Sequence, residues 1–330
     1  MRKTVCATLA VMMSVLFSPL SQAGQAWESY KARFFKPEGR IVDTGNGGVS
    51  HTEGQGFAML MAVANDDKAT FDKLWQWTNR ELKNKENGLF YWRYNPAESN
   101  PVADKNNAAD GDVLIAWALL KADARWHEKR YGAASDAITK ALVAHSVIRY
   151  AGYRVMLPGV QGFKLDGEVV LNPSYFVFPA WQAFAGRSHL PVWRDLIKDG
   201  KRLLGKMGSG KADLPADWVS LASDGKLEPA KSWPPRMSYD AIRIPLYLAW
   251  SDKQSPLLTP WKAWFGQFPR EQTPAWVNVM TNEYAPYMME GGLLAVRDLT
   301  MGQSSGEPEI TSKDDYYSAS LKMLVWISAQ

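Results

Sequence analysis

Apolar residues recur at three- and four-residue spacing in twelve stretches of this chain, and this spacing predicts a helix for each stretch. The stretch 110–126 shows the pattern most clearly, because Val113, Ala116 and Trp117 lie on one face of the helix. We therefore predict an all-α protein with helices at 27–35, 53–64, 69–82, 110–126, 133–148, 174–184, 192–204, 239–250, 261–268, 275–283, 289–297 and 314–328.

Polar segments rich in glycine and proline separate these helices, and the longest cover 84–107 and 205–238. Two short runs, 87–94 and 168–171, have the composition of strands. No change in composition divides the chain into two domains. The regular succession of helix pairs therefore predicts a single domain with an α/α architecture, either a closed barrel or a solenoid. Long loops on such a scaffold usually carry function.

The first 23 residues have the form of a secretory signal peptide. Arg2 and Lys3 provide a positive start, an apolar run follows, and the small residue Ala23 stands at the expected cleavage point. We therefore predict an exported protein, secreted or periplasmic, whose mature chain is 24–330. The single cysteine, Cys6, lies in the signal, which excludes a cysteine nucleophile and a thiolate metal site from the mature chain.

Charge and composition narrow the class of partner. The 38 basic and 34 acidic residues nearly balance and form no basic run, so no nucleic-acid partner is expected. No segment after the signal is a long uncharged apolar run, so no membrane partner is expected either. The 15 Trp, 13 Tyr and 12 Phe make an aromatic-rich chain. Because exposed tryptophan is costly unless something binds it, an exported chain of this composition is typical of a carbohydrate-active protein. We expect it to be a monomer.

Acidic residues stand at three predicted helix starts. Glu53 precedes an apolar helix, Asp110 and Asp112 open the clearest helix, and Asp240 lies one helical turn before Arg243. Each has an ordinary interpretation, as a first-turn glutamate, a helix cap or a surface ion pair. Their combination in an exported, tryptophan-rich chain favours glycoside hydrolysis in which one carboxyl group acts as general acid and another as general base. Burial beside apolar neighbours would suit Glu53 to the acid role, and Arg243 would keep Asp240 ionised as the base.

The chain offers little for metal or phosphate chemistry. Its four histidines are scattered and form no HExxH-type pair, so we predict no metal site and no cofactor. The glycine-rich segment 45–48 is not followed by Lys-Ser or Lys-Thr, so it is interpreted as a turn and not as a phosphate-binding loop.

The segment 108–116 reads Ala-Ala-Asp-Gly-Asp-Val-Leu-Ile-Ala, and its helix closes on Trp126. Together with the run around Glu53 and the segment 239–243, it resembles the hallmarks of glycoside hydrolase family 8. The resemblance covers essentially the whole mature chain and is closest to secreted bacterial endoglucanases. One position departs from the family signature, since Ala109 stands where a hydroxyl residue is usual. That departure removes at most one hydrogen bond and leaves both acids in place.

The resemblance implies an (α/α)6 barrel of about twelve helices. It also implies hydrolysis of internal β-1,4-glucosidic bonds in cellulose-type glucans, with inversion at the anomeric carbon. In this scheme Glu53 is the proton donor, Asp240 is the base that activates water, and Asp110 binds and distorts the sugar at the cleavage point. An inverting pair leaves room for water, so we expect the carboxyl groups of Glu53 and Asp240 to lie roughly 6.5–9.5 Å apart.

Further residues are candidates for the substrate cleft. Arg243 is expected to orient Asp240, and aromatic rings near the acids are expected to stack on sugar, although core packing explains any one ring equally well. The candidate substrate-binding residues are Asp112, Trp92, Tyr94, Tyr175, Tyr239, Arg243, Tyr316 and Tyr317.

Other functions stay open at this point. Relatives in the family act on chitosan, xylan or mixed-linkage glucan, so another β-1,4-glycan is the first alternative to a β-1,4-glucan substrate. A polysaccharide lyase is the second, and it would need a set of Tyr, His and Arg instead of paired acids. A non-catalytic glycan-binding accessory protein is the third, and the presence of all three acids argues against it.

Overall fold

The computed structural model describes residues 24–303 and 306–330, and helices dominate this part of the chain. The predicted signal peptide lies outside the described residues. Eleven α-helices occur in the described ranges: α1 Gln25–Phe34, α2 Thr52–Ala64, α3 Lys68–Glu81, α4 Ala109–Trp126, α5 Lys129–His145, α6 Phe178–Ser188, α7 Pro191–Leu204, α8 Arg243–Ser251, α9 Thr259–Phe265, α10 Gly291–Thr300 and α11 Tyr316–Ser328.

Six of these helices form a closed inner ring. Each of α2, α4, α6, α8 and α10 packs against the next member of the series, and α11 packs against both α10 and α2. The other five lie outside the ring, with α1 against α11, α3 against α2, α5 against α4, α7 against α6 and α9 against α10. The predicted (α/α)6 barrel is therefore confirmed, with one outer helix fewer than expected among the described residues.

The sequence of each helix explains its layer. In α4 every residue from Ala109 to Leu119 is buried, and a helix that is apolar on all sides belongs in a protein interior. In α7, by contrast, the buried apolar positions Trp193, Leu196 and Leu203 form a single stripe, while the lysines and arginines face outward. A one-sided helix of this kind covers the ring from outside.

The predicted helix at 275–283 is wrong. The strand Val277–Asn278 lies there instead and pairs antiparallel with Arg236–Met237. The side chain of Asn278 accepts hydrogen bonds from the backbone N–H groups of Met280 and Thr281, at 3.0 and 3.1 Å. Such local bonds compete with helical ones, and Asn282 then adopts a left-handed φ of 64°. Ala275, Trp276, Val277 and Val279 are buried, whereas Met280 is exposed.

Short antiparallel sheets lie in the loops between the helices. The predicted strand at 168–171 is confirmed, whereas of 87–94 only Arg93–Tyr94 is a strand. The 205–238 segment, predicted as a loop, holds three strands. The predicted helices at 133–148 and 174–184 are displaced, because α5 spans Lys129–His145 and α6 follows a 3-10 turn and spans Phe178–Ser188; the predicted helix at 239–250 is shortened, because α8 starts at Arg243. The strands are β1 Ser50–His51, β2 Arg93–Tyr94, β3 Val147–Tyr150, β4 Tyr153–Met156, β5 Glu168–Leu171, β6 Val219–Ala222, β7 Leu227–Pro229, β8 Arg236–Met237 and β9 Val277–Asn278.

Within residues 24–303 and 306–330, no helix is both long enough and apolar enough to cross a lipid bilayer.

Candidate active site

Several inner helices begin at the same end of the barrel, and their first residues form the site. Glu53 and Asp110 are the second residues of α2 and α4, and Arg243 and Tyr316 are the first residues of α8 and α11. The N-terminus of a helix carries a partial positive charge and free N–H groups, which favour carboxylates there. The barrel therefore gathers acidic side chains from positions that are far apart in the sequence.

One arginine joins the three predicted acids. Nη1 of Arg243 lies 3.0 Å from Oε2 of Glu53, while its Nη2 lies 3.1 Å from Oδ1 of Asp240 and 3.6 Å from Oδ2 of Asp110. The guanidinium group also donates to the hydroxyls of Ser174 and Tyr317, at 3.0 and 3.1 Å. Its side chain is only 4% exposed. The planar fork of donors fixes the three carboxyl groups relative to one another.

Asp110 is the most deeply buried of the three acids. Burial, and then the nearby charge of Glu53, raise the pKa of Asp110 to about 8, against the opposing attraction of Arg243. The carboxyl group is therefore protonated at neutral pH and offers one O–H donor. Its Oδ1 accepts from the backbone N–H of Gly111 at 2.8 Å. A buried acid of this kind can hold a sugar hydroxyl in place, since it both donates and accepts hydrogen bonds.

Glu53 and Asp240 are more open to solvent than Asp110. The hydroxyl of Tyr316 donates to Oε1 of Glu53 at 3.4 Å, and that side chain is 18% exposed. The neighbours of Glu53 are thus polar donors and not the apolar side chains that were expected; Phe57, four residues further along α2, is buried in the core. Asp240 is 32% exposed and faces the solvent with one oxygen held by Arg243. An exposed carboxylate can be reached by the water that a base would activate.

Glycines allow the helix starts to approach so closely. A Cβ atom on Gly111 would lie 2.1 Å from Oγ1 of Thr52, and one on Gly54 would lie 2.6 Å from the hydroxyl oxygen of Tyr316. Both distances are far shorter than a real contact. Any larger residue would push α2 away from α4 or α11 and separate Glu53 from its partners.

Four of the predicted aromatic residues lie around the acids. The hydroxyl of Tyr317 accepts from Arg243 and donates to the carbonyl of Tyr239, whose ring is 45% exposed. Tyr316 contacts Glu53, as described above. The partly buried Tyr175 sits within the electrostatic reach of the three acids, and its ring meets the edge of Trp218 at 6.2 Å. A cavity of about 310 Å³ opens beside Tyr239 and Tyr317.

Trp92 and Tyr94 have different surroundings from each other. The carbonyl of Trp92 accepts from the first N–H of α2, at Thr52, and its ring lies parallel to His51 at 5.9 Å. Trp92 therefore borders the start of the helix that carries Glu53. The ring of Tyr94 instead packs edge-on against Trp77 at 5.2 Å. The surroundings of Tyr94 are therefore those of a residue that packs against the protein and not against a ligand.

Asp112 does not line the cleft. It is fully buried, and its two oxygens accept from the backbone N–H of Phe90 at 2.9 Å and from Nδ2 of Asn107 at 2.8 Å. Burial raises its pKa to about 7. The predicted role in substrate binding is corrected accordingly: Asp112 anchors both ends of the long loop in front of α4.

The structure adds residues that the sequence did not single out. Asp217 accepts hydrogen bonds from the segment that carries Asp240. Trp218 is sandwiched between Phe163 and Trp233, with ring centroids 5.7 and 4.6 Å away and nearly parallel planes. Asp217, Trp218 and Trp233 lie in the 205–238 segment, which was predicted as a loop. The adjacent pair of an acid and a tryptophan at 217 and 218 is the one local signal that could have indicated them.

A guanidinium group lies between the three carboxyl groups of the site. Among the described residues, no group of three or more His, Cys, Asp or Glu side chains is arranged to hold a metal ion. The positive charge between the carboxyl groups comes from Arg243 itself.

Clustered carboxyl groups of unequal burial, set in an aromatic-lined end of an α/α barrel, define a glycoside hydrolase. The family model of glycosyl hydrolases family 8 matches residues 1–330, and the chain belongs to that family.

Similar proteins agree with this assignment. An endoglucanase of Cellulomonas uda is 62% identical over 303 residues, which are 92% of this chain and 84% of that protein. The crystal structure of an endoglucanase from Klebsiella pneumoniae, a family 8 glycosyl hydrolase, is 66% identical and has a TM-score of 0.92, covering 93% of this chain and 99% of that one. A family 8 endo-β-1,4-glucanase from an Achatina fulica gut metagenomic library is also 66% identical, with a TM-score of 0.92, covering 94% of this chain and 99% of the other.

Proposed function

We propose that this glycoside hydrolase cleaves internal β-1,4 bonds of cellulose-type glucans with inversion, using Glu53 as acid and Asp240 as base. The observation that carries the proposal is the set of three carboxyl groups held by Arg243 at the starts of three inner helices. The names of the most similar proteins support the choice of substrate, because both an endoglucanase and an endo-β-1,4-glucanase are more than 60% identical to the chain.

The proposed reaction is a single displacement. Protonated Glu53 transfers its proton to the glycosidic oxygen as the bond to the anomeric carbon breaks. Asp240 takes a proton from a water molecule, whose oxygen attacks that carbon from the opposite face. The products are a shortened chain with a new reducing end and a chain with a new non-reducing end. The expected separation of roughly 6.5–9.5 Å between the two carboxyl groups leaves room for this water.

Asp110 has a positioning role in this scheme. Inversion needs no covalent intermediate on the enzyme, so a third carboxyl group is free for another task. Its raised pKa keeps it protonated at neutral pH, where it can donate to a hydroxyl of the sugar at the cleavage point. A hydrogen-bond donor in a buried site stabilises the distorted sugar more than an exposed donor does, because water competes with the exposed one.

The first experiment compares wild type with Glu53→Gln on carboxymethyl-cellulose. We expect release of reducing ends by wild type, and a loss of about 10²–10⁴-fold in the variant because the proton donor is gone. Proton NMR of the products should show the α-anomer first. Glu86→Gln, a matched change at an exposed residue of the 84–107 loop, should keep full activity. Early β-anomer, or full activity of Glu53→Gln, would contradict the mechanism.

The same assay separates the alternative functions. A non-catalytic glycan-binding protein would bind the polymer and release no reducing ends, and a lyase would give a product that absorbs in the ultraviolet. Absence of turnover on carboxymethyl-cellulose together with turnover on chitosan, xylan or mixed-linkage glucan would transfer the mechanism to that β-1,4-glycan.

We also propose that the protein acts outside the cytoplasm as a monomer, after removal of residues 1–23. The positive start, the apolar run and the small residue Ala23 support the cleavage point. Mass spectrometry of the exported protein should give a chain starting at Gly24, and light scattering should give the mass of one chain.

A further inference from the structure

Asp217 reaches across from the loop before β6 to the segment that carries Asp240. Its Oδ1 accepts hydrogen bonds from the backbone N–H groups of Ser238 and Ala241, at 2.9 and 2.8 Å, and its Oδ2 accepts from the hydroxyl of Ser238. These donors lie on both sides of Asp240 in the chain. One carboxyl group therefore clamps the four residues 238–241 into a single conformation.

The clamped segment has no cap of its own. Helix α8 begins at Arg243 without a side-chain cap, and the turn before it is closed only by backbone bonds from Ile242 to Ser238 and from Arg243 to Asp240, both 3.0 Å. A segment with unpaired N–H groups at a helix start needs an external acceptor. Asp217 supplies that acceptor, and the short strand β8 just before it, Arg236–Met237, is tied to β9.

We propose that Asp217 is a positioning residue for the base: its carboxyl group holds the 238–241 segment so that the side chain of Asp240 faces the attacking water. The inference rests on the proposed role of Asp240. A base must hold its proton acceptor within hydrogen-bond reach of the water in the reacting geometry, and an error of about 1 Å can cost about 100-fold in rate.

Asp217 forms no ion pair with another described residue. Among the described residues, no lysine, arginine or histidine nitrogen lies within 4 Å of it, and its donors are neutral. The neighbouring Arg236 stacks its guanidinium group on Trp276 at 3.7 Å. Burial, and then the charge of Asp240, raise the pKa of Asp217 to about 6.

Two substitutions separate position from charge. Asp217→Asn keeps the Oδ1 acceptor for both backbone N–H groups, and the hydroxyl of Ser238 can turn to accept from the new amide. Asp217→Ala removes all three bonds. Asp224→Asn, in the exposed turn between β6 and β7 of the same sheet, is the matched control. Each variant is purified, its fold is checked by circular dichroism and thermal unfolding, and kcat and KM on soluble β-1,4-glucan are measured from pH 4 to pH 8.

We expect Asp217→Ala to lose about 10–100-fold in kcat with KM within about twofold of wild type, because the base is misplaced while the sugar-binding surface is intact. Asp217→Asn should recover most of that loss. Asp224→Asn should match wild type in rate and in pH profile.

Wild-type kcat in a folded Asp217→Ala variant would overturn the proposal, as would a loss in Asp217→Asn as large as that in Asp217→Ala. A fall in activity that only tracks the unfolded fraction would also overturn it, because it would show a purely structural role. Asp240→Asn, measured alongside, distinguishes a failure of the proposed base from a failure of the positioning role. If it retains full activity, the proposed base is wrong; if it is inactive while Asp217→Ala is normal, only the positioning role fails.

Discussion

Replacing Asp110 by asparagine should stabilise the protein at neutral pH and leave its stability near pH 4 almost unchanged. The carboxyl group is deeply buried, and burial together with the charge of Glu53 raises its pKa to about 8 from an ordinary value of 3.8. Native Asp110 therefore keeps a proton over a pH range in which the unfolded chain has released it. Because the native state binds more protons in this range, the free energy of unfolding falls as the pH rises.

The size of the effect follows from the width of that range. Each pH unit between the two pKa values costs about 1.4 kcal/mol of the free energy of unfolding, so the cost at pH 7 reaches at most about 4 kcal/mol. Because the charges of Glu53 and Asp110 interact, part of this cost depends on Glu53 and not on Asp110 alone. We therefore expect the asparagine variant to gain about 2–4 kcal/mol at pH 7. Asparagine has the size of the acid and keeps the acceptor for the N–H of Gly111, so no cavity opens.

Urea unfolding of wild type and Asp110→Asn at pH 5, 6, 7 and 8 measures this difference. The gain should grow with pH by up to about 1.4 kcal/mol per unit and level off near pH 8. Asp166→Asn, the same change at an exposed site, should give a small difference that does not depend on pH. Parallel stability curves for wild type and Asp110→Asn, or a less stable variant at pH 7, would refute the assignment of a buried, protonated acid.

Two further substitutions test how the site is held together. Arg243→Lys cannot bridge three carboxyl groups, so we expect a loss of at least about 100-fold in kcat on carboxymethyl-cellulose. It should also lose about 1–3 kcal/mol of stability in urea, because a lysine cannot make all the hydrogen bonds of the buried guanidinium group; unchanged stability would contradict the central role of this arginine. Gly111→Ala would place a Cβ atom 2.1 Å from Oγ1 of Thr52, so it should destabilise the protein by about 1–3 kcal/mol and lower activity. Gly186→Ala in α6, where nothing lies within 4 Å, should instead gain about 0.5–1 kcal/mol, and equal effects at the two glycines would argue against the close approach of α2 and α4.

Most helices were predictable because their signal is local. Helices α2, α3 and α7 begin and end within one residue of the predicted limits, and the strand Glu168–Leu171 lies where predicted. A helix buries one or more stripes whose spacing depends only on its own residues. The family signature likewise lies in one short segment, so Asp110 was visible before any fold was known.

The errors lie where a distant partner decides the local structure. Segment 275–283 has helical apolar spacing, yet it becomes a strand because Arg236–Met237 pairs with it. Asp112 stands in the same short motif as Asp110, but its side chain points to Phe90 and Asn107 and not to the cleft. Helix residues two positions apart, such as Asp110 and Asp112, face directions about 200° apart, so two acids in one motif can have different roles.

The sequence alone determined an all-α chain, the class of enzyme, and the three acids with their arginine. Periodicity and motif spacing depend on residues that are close in the sequence, so they can be recognised without knowledge of the fold. Only the tertiary structure decided that a single guanidinium group joins Glu53, Asp110 and Asp240, that burial raises the pKa of Asp110, and that Asp217 binds the segment that carries Asp240. Burial, pKa and contacts between distant residues arise when the ring of helices closes, because closure removes water and brings the helix starts together.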